Sequence, residues 1–162
     1  MTHDVTLTVN GREHRLTVES HRTLLEVLRD QLKLFGARES CGMSLCGACT
    51  VLVDDLPISS CSYLAARVGG RAITTIEGLS TGEALHPVQQ AFIEHGAFQC
   101  SYCTPGMILT ATSLLRENPS PTVEDVKNYM AGNLCRCAAY YEIVEAVLTA
   151  AKRLGGSATL RL

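Results

Sequence analysis

Eight cysteines constrain this chain more than any other feature: Cys41, Cys46, Cys49 and Cys61, then Cys100, Cys103, Cys135 and Cys137. At about 5 % of 162 residues they are too sparse for a disulfide-stapled scaffold, which runs at ~8–10 %. Met1 to Thr6 has no basic stretch leading into an apolar one, so no secretion signal is expected. A reducing, cytoplasmic compartment is therefore the expectation, and disulfides are rare there. Ligand thiols, by contrast, come in fours, and these eight divide into two fours.

The composition narrows the partners. Hydrophobic residues are 46 % and charged residues 19 %, enough apolar content for a packed core. Fourteen basic against sixteen acidic residues leave a net charge of −2 without a basic run, and there is no Trp. Nucleic acid and anionic membrane are thus not expected partners. No apolar run approaches the ~18 residues of a membrane span.

Secondary-structure signals change where the cysteines do. Val5–Val9 alternates with period two, Asn10-Gly11 is a hairpin turn, and Arg15–Val18 returns. Thr23 caps a helical pattern over 24–34, with Gly36 as its stop. Thr50–Val53 and Ala72–Ile76 read as strands, and Asp54-Asp55 as a turn. Two hairpins and one helix make an α+β unit over residues 1–77. After a polar connector at 78–86, helices follow over 87–154: one from Pro87, one from Thr104-Pro105 in cap-then-Pro order, one from Thr122 with Asp125, and one from Tyr141. The last has an apolar stripe of Ile143, Val144, Val147, Leu148 and Ala151. Four helices with short connections point to a bundle. Residues 155–162 read as a flexible tail.

Cys41-x4-Cys46-x2-Cys49-x11-Cys61 is the plant-type [2Fe–2S] spacing. Three thiols on one loop converge only if the chain curls tightly, which needs little side-chain bulk; Gly36, Ala37, Gly42, Gly47 and Ala48 supply that. Inward N–H groups then stabilise the sulfurs. Structural zinc uses two Cys-x2–4-Cys knuckles, and only Cys46 and Cys49 make one here. Cys100-x2-Cys103-x31-Cys135-x1-Cys137 is rarer. Each of its pairs precedes a predicted helix, whose N-terminus suits a negative thiolate cluster. Iron–sulfur leads zinc for this quartet, and spacing alone leaves both open.

Together these motifs resemble a known family. Cys46-Gly47-Ala48-Cys49-Thr50-Val51, Gln99-Cys100-Ser101-Tyr102-Cys103-Thr104-Pro105-Gly106-Met107 and Gly132-Asn133-Leu134-Cys135-Arg136-Cys137, with Asn118-Pro119-Ser120-Pro121-Thr122, are similar to the small iron–sulfur subunit of the molybdenum hydroxylases, the xanthine oxidase family. The resemblance runs from Val5 to Leu154. It implies a β-grasp, plant-ferredoxin-like domain followed by an all-α four-helix bundle, each holding a [2Fe–2S] cluster. It implies electron flow from a molybdopterin (cytosine dinucleotide form) through the bundle cluster, then the ferredoxin-like cluster, to FAD. The pterin would lie on a large subunit and FAD on a medium subunit, in a dimer of heterotrimers. Gln99 and Cys137 would lie beside the pterin. Two positions depart from the family pattern: Ala138-Ala139-Tyr140 stands where Thr-Gly-Tyr is usual, and Ser40 where Gly precedes the first cysteine.

No substrate chemistry is visible, and no catalytic residue is assigned. His3, His14, His21, His86 and His95 are scattered and lie outside both quartets, against a Rieske centre. Gly69-Gly70 belongs to no G-x-G-x-x-G or P-loop, so FAD and NAD have no Rossmann-type site. Tyr102 and Met107 read as packing residues, and Arg136 as a donor to a cluster or a subunit contact. The rival reading, a free-standing ferredoxin-type carrier, leaves the second half unexplained.

Overall fold

The computed structural model describes residues 1–80, 82 and 84–156. Strand β1 (Thr2–Val9) pairs antiparallel with β2 (Arg12–Glu19), Val9 opposite Arg12. Asn10 and Gly11 both take positive φ (50° and 75°), the twist a two-residue hairpin needs. Strand β3 (Thr50–Val53) pairs with β4 (Leu56–Ser59) across Asp54 and Asp55, again both at positive φ. Strand β5 (Ala72–Thr74) closes the sheet between them, parallel to β1 and antiparallel to β3, in the order β2-β1-β5-β3-β4.

Helix α1 (Leu24–Glu26) starts on a capping box: Glu26 N–H donates to Thr23 Oγ1 at 3.2 Å, and Thr23 N–H to the Glu26 carboxylate at 2.8 Å. The predicted helix over 24–34 is shorter and wider than its apolar spacing indicates. It passes into π-helical turns at Val27–Gln31, and Leu34 N–H reaches back to Leu28 C=O at 2.9 Å. Lys33, at φ 58°, takes the left-handed stop position assigned to Gly36. Gly36 serves packing instead, since a Cβ there would lie 2.1 Å from Ile76 Cγ2.

Four helices follow: α2 (Pro87–Glu94), α3 (Thr104–Glu117), α4 (Val123–Tyr129) and α5 (Tyr140–Gly156). The chain is thus α+β. His86 caps α2 through Nδ1, accepting from Val88 N–H at 3.3 Å, and Pro87 sits in the first turn. Thr122 and Asp125 form the expected capping box. The expected cap at Thr104 is corrected: Cys103 is the cap residue and makes no side-chain cap bond. Helix α3 is buried on every side from Pro105 to Leu115, as a central helix must be. On α5 the buried stripe is Ile143, Ala146, Val147, Ala150 and Ala151, while Val144 and Leu148 are only partly covered. This face packs into the helical core, and α5 lies against α2. Gly155 and Gly156 belong to α5, and the rest of the expected tail, 157–162, lies outside the described residues, as do Thr81 and Glu83 of the connector. No described helix is long and apolar enough to cross a membrane.

Strand β3 joins two cores. All four of its residues are buried, with Val51 and Val53 packed among Leu7, Val9, Leu28 and Ile73. Leu52 points the other way, into the core of Phe92, Met107, Leu109 and Val147. Ser113 on α3 donates to Asp55 C=O at 2.8 Å, and Arg116 pairs with the Asp55 carboxylate. Leu52→Ala should therefore destabilise by about 2–5 kcal/mol, and Thr122→Ala by about 1 kcal/mol, in denaturant unfolding of the loaded protein. Glu26 adds a pH term. The Thr23 backbone N–H holds its carboxylate below the usual 4.5, so its contribution is full above that value and lost as pH falls through the folded pKa. Glu26→Gln should flatten the acid limb of the stability profile.

Candidate metal centres

The loop from Cys41 to Cys49 curls through three left-handed residues, Gly42, Ser44 and Gly47. Met43 and Leu45 N–H groups point at Cys41 Sγ at 3.5 and 3.4 Å. Cys49 leads into β3 and Cys61 follows β4; Ser60 joins them, its N–H and hydroxyl both donating to Cys49 C=O, at 3.4 and 2.6 Å. Ser44 Oγ lies 3.9 Å from Cys61 Sγ. The four thiols pair, Cys41 with Cys46 and Cys49 with Cys61.

The second quartet pairs likewise, Cys100 with Cys137 and Cys103 with Cys135. Ser101 (φ 60°) turns the chain between the first two cysteines, and Ala138 (φ 62°) turns it after the last. Cys135 N–H donates to Tyr140 Oη at 2.9 Å. Gln99 Nε2 donates to Cys137 C=O at 3.0 Å on the exposed surface, so the two residues expected beside a pterin are neighbours. The two departures from the family's glycines fall at positions without a left-handed backbone. Ala139 and Ser40 have ordinary φ and need no glycine, and the left-handed residue of the turn is Ala138.

Among the described residues no three His, Cys, Asp or Glu side chains converge as one metal ion would require. Two-and-two pairing is the donor arrangement of a two-iron cluster, where each iron takes two protein ligands. The electrostatics of each quartet are graded. N–H donors, first from Met43 and then Leu45, bring the Cys41 thiol down to about 6, and the Tyr102 N–H lowers Cys100. Burial pushes Cys49 up to about 11 and Cys103 up to about 12. Cationic iron would offset that cost of a buried thiolate. The donor set therefore fits [2Fe–2S] in both places.

The two loops are fastened together. Leu134 N–H donates to Cys46 C=O at 2.9 Å. Buried Asn133 gives its Nδ2 to Gly47 C=O at 3.2 Å and accepts from Thr110 Oγ1 at 3.0 Å. Backbones meet so closely that a Cβ on Gly106 would lie 2.2 Å from Gly47 O. Arg38 donates to Ser101 C=O and lies 5.4 Å from the Tyr102 ring centroid, and Tyr102 Oη donates to Glu39 C=O. Tyr102 is thus a loop tie at the surface, whereas Met107 packs in the core as expected. Arg136 is exposed, with no ion pair among the described residues. Sequence reading missed Arg38 and Thr110 as bridging residues. Asn133 stood inside a quoted motif without a role.

Residues 7–70 match the family described as a 2Fe-2S iron-sulfur cluster binding domain, and residues 75–148 a [2Fe-2S] binding domain. The nicotine 6-hydroxylase small subunit of Paenarthrobacter nicotinovorans is 47 % identical, over 94 % of this chain and 92 % of its own. Quinoline 2-oxidoreductase from Pseudomonas putida 86 superposes with a TM-score of 0.91 at 39 % identity, over 96 % of this chain and 97 % of the matched one. The chain belongs to the iron–sulfur subunits of the molybdenum hydroxylase family. The aldehyde oxidoreductase of Desulfovibrio desulfuricans carries the same fold (TM-score 0.91, 43 % identity) within one longer polypeptide, 96 % of this chain covering 18 % of that one. The subunit has two [2Fe–2S]-binding domains, one containing Cys41–Cys61 and the other Cys100–Cys137.

The bridge is testable. Gly47→Ala would place a Cβ 2.5 Å from Asn133 Nδ2 at a φ of +68°, so it should part the loops and lower iron content, read by iron-to-protein ratio. Asn133→Ala leaves Thr110 and the Gly47 carbonyl without this buried partner and should cost about 1–3 kcal/mol in denaturant unfolding.

Proposed function

We propose that this subunit relays electrons inside a heteromeric molybdenum hydroxylase, as a β-grasp ferredoxin-like domain followed by a four-helix bundle. The observation that carries this reading is the pairing of all eight thiols into two quartets whose loops share hydrogen bonds. Cys41 and Cys46 would hold one iron of the first cluster, and Cys49 and Cys61 the other. Cys100 with Cys137, and Cys103 with Cys135, would do the same in the second. When bound, the clusters supply one-electron carriers between the molybdopterin of a large subunit and the FAD of a medium subunit. Backbone N–H groups at Cys41 and Cys100 stabilise the negative sulfurs.

Each quartet has an open side. Cys100 and Gln99 are exposed, and Met43 and Leu45 beside Cys41 are each 64 % exposed. In this reading the Gln99–Cys137 side faces the pterin and the Met43–Leu45 side faces the flavin partner, with the whole assembled as a dimer of heterotrimers. Relatives named for nicotine, quinoline and aldehyde share the fold, and every thiol here is committed to a quartet. Substrate choice therefore rests with the large subunit.

Cys100→Ser in the assembled enzyme should lower iron by about half and stop substrate from bleaching the flavin band under anaerobic conditions. Flavin reduction at the wild-type rate would refute the relay.

A further inference from the structure

Among the described residues, Thr104 Oγ1 is the one buried side-chain nitrogen or oxygen without a hydrogen-bond partner. Its neighbours on α3 behave differently. Thr110 donates to Asn133 Oδ1, Thr112 to Ile108 C=O at 2.8 Å, and Ser113 to Asp55 C=O. A hydroxyl in a helix ordinarily turns back to the carbonyl one turn earlier, as Thr112 does. Thr104 occupies the first position of α3, where no helical turn precedes it. A buried hydroxyl left unpaired is disfavoured, so an enclosed donor of this kind calls for an acceptor beyond the amino-acid chain.

The acceptor is indicated by position. Thr104 directly follows Cys103 and lies four residues after Cys100, two members of the second quartet. Cys103 is in turn paired with Cys135. A negatively charged sulfur at that quartet would be an acceptor of the required chemistry. We infer that the Thr104 hydroxyl donates a hydrogen bond to a sulfur of the second [2Fe–2S] cluster and raises its reduction potential. This rests on the assignment of that quartet to a cluster. No proton leaves Thr104; one electron enters the centre, and the donor stabilises the added negative charge. Thr104 is then a positioning and tuning residue, not a ligand.

The test is an EPR-monitored redox titration of the assembled enzyme with Thr104→Val, Thr104→Ala and Thr104→Ser. Both variants lacking the hydroxyl should lower the potential of the second centre, by about a tenfold shift in the oxidised-to-reduced ratio, or about 59 mV for one electron. The first centre should stay unchanged, and Thr104→Ser should restore the wild-type value. Pulsed EPR in heavy water should show an exchangeable deuteron coupled to the second centre that Thr104→Ala abolishes. Unchanged potential and unchanged deuteron coupling in the iron-replete Ala variant would overturn the inference, leaving a buried water as the partner. Should Val fail to load iron, Ala and the wild-type deuteron signal decide alone. Failure of the cluster assignment itself would show differently, as Cys100→Ser retaining full iron content.

Discussion

One buried amide holds the two halves of this molecule in register. Asn133 leaves the second quartet's loop, donates to the backbone of the first at Gly47 and accepts from the central helix at Thr110. Thr110 and Asn133 are buried, so their bond is enforced by the cost of leaving either group unpaired, while the Gly47 carbonyl is shared between Asn133 and the N–H and hydroxyl of Thr50. The bond also sets a distance. Main chains at Gly47 and Gly106 must approach until no side-chain carbon fits between them. Everything proposed about electron passage presupposes that approach, because it brings Cys46 and Cys135 onto adjoining segments joined by the Leu134–Cys46 hydrogen bond.

What the sequence made legible is what depends on local chemistry. Ligand spacing is set by how a short loop can curl, so the grouping of Cys41, Cys46 and Cys49 on one loop was legible, whereas the 31 residues between Cys103 and Cys135 carried no such signal. The Asn10-Gly11 and Asp54-Asp55 hairpins were legible because their left-handed turn residues are chemically distinctive. Pro87 and the Thr122–Asp125 box marked helix starts for the same reason. Illegible features depend on residues far apart in sequence. Nothing local tells Arg38 to find Ser101, Ser113 to find Asp55, or β5 to insert between β1 and β3. Apolar spacing over 24–34 also failed to separate an α-helix from a π-turn, since both bury Leu24, Leu25 and Leu28. Thr104-Pro105 imitated a cap, but the helix starts one residue earlier than that pattern implies.

The graded thiols show how a small protein handles charge at such centres. Cys49 and Cys135 are buried, where an uncompensated thiolate is costly, while Cys41 and Cys100 lie toward solvent under backbone donors. Interior sulfurs would rely on iron for compensation, and the peripheral ones have peptide dipoles. Few charged side chains are needed. Arg38 contributes favourably at Cys100, and the formal ion pairs lie on the surface, where they add little.

Strand β3 carries a consequence of its own. Its alternate side chains lie in different cores, Leu52 among the helices and Val51 and Val53 under the sheet. Four residues are therefore common property, and neither half can loosen without exposing the other. A strand shared in this way is the kind of element through which occupancy of one quartet would bias the other. Any change that filling one quartet makes in the affinity of the other would be matched by an equal change in the reverse direction.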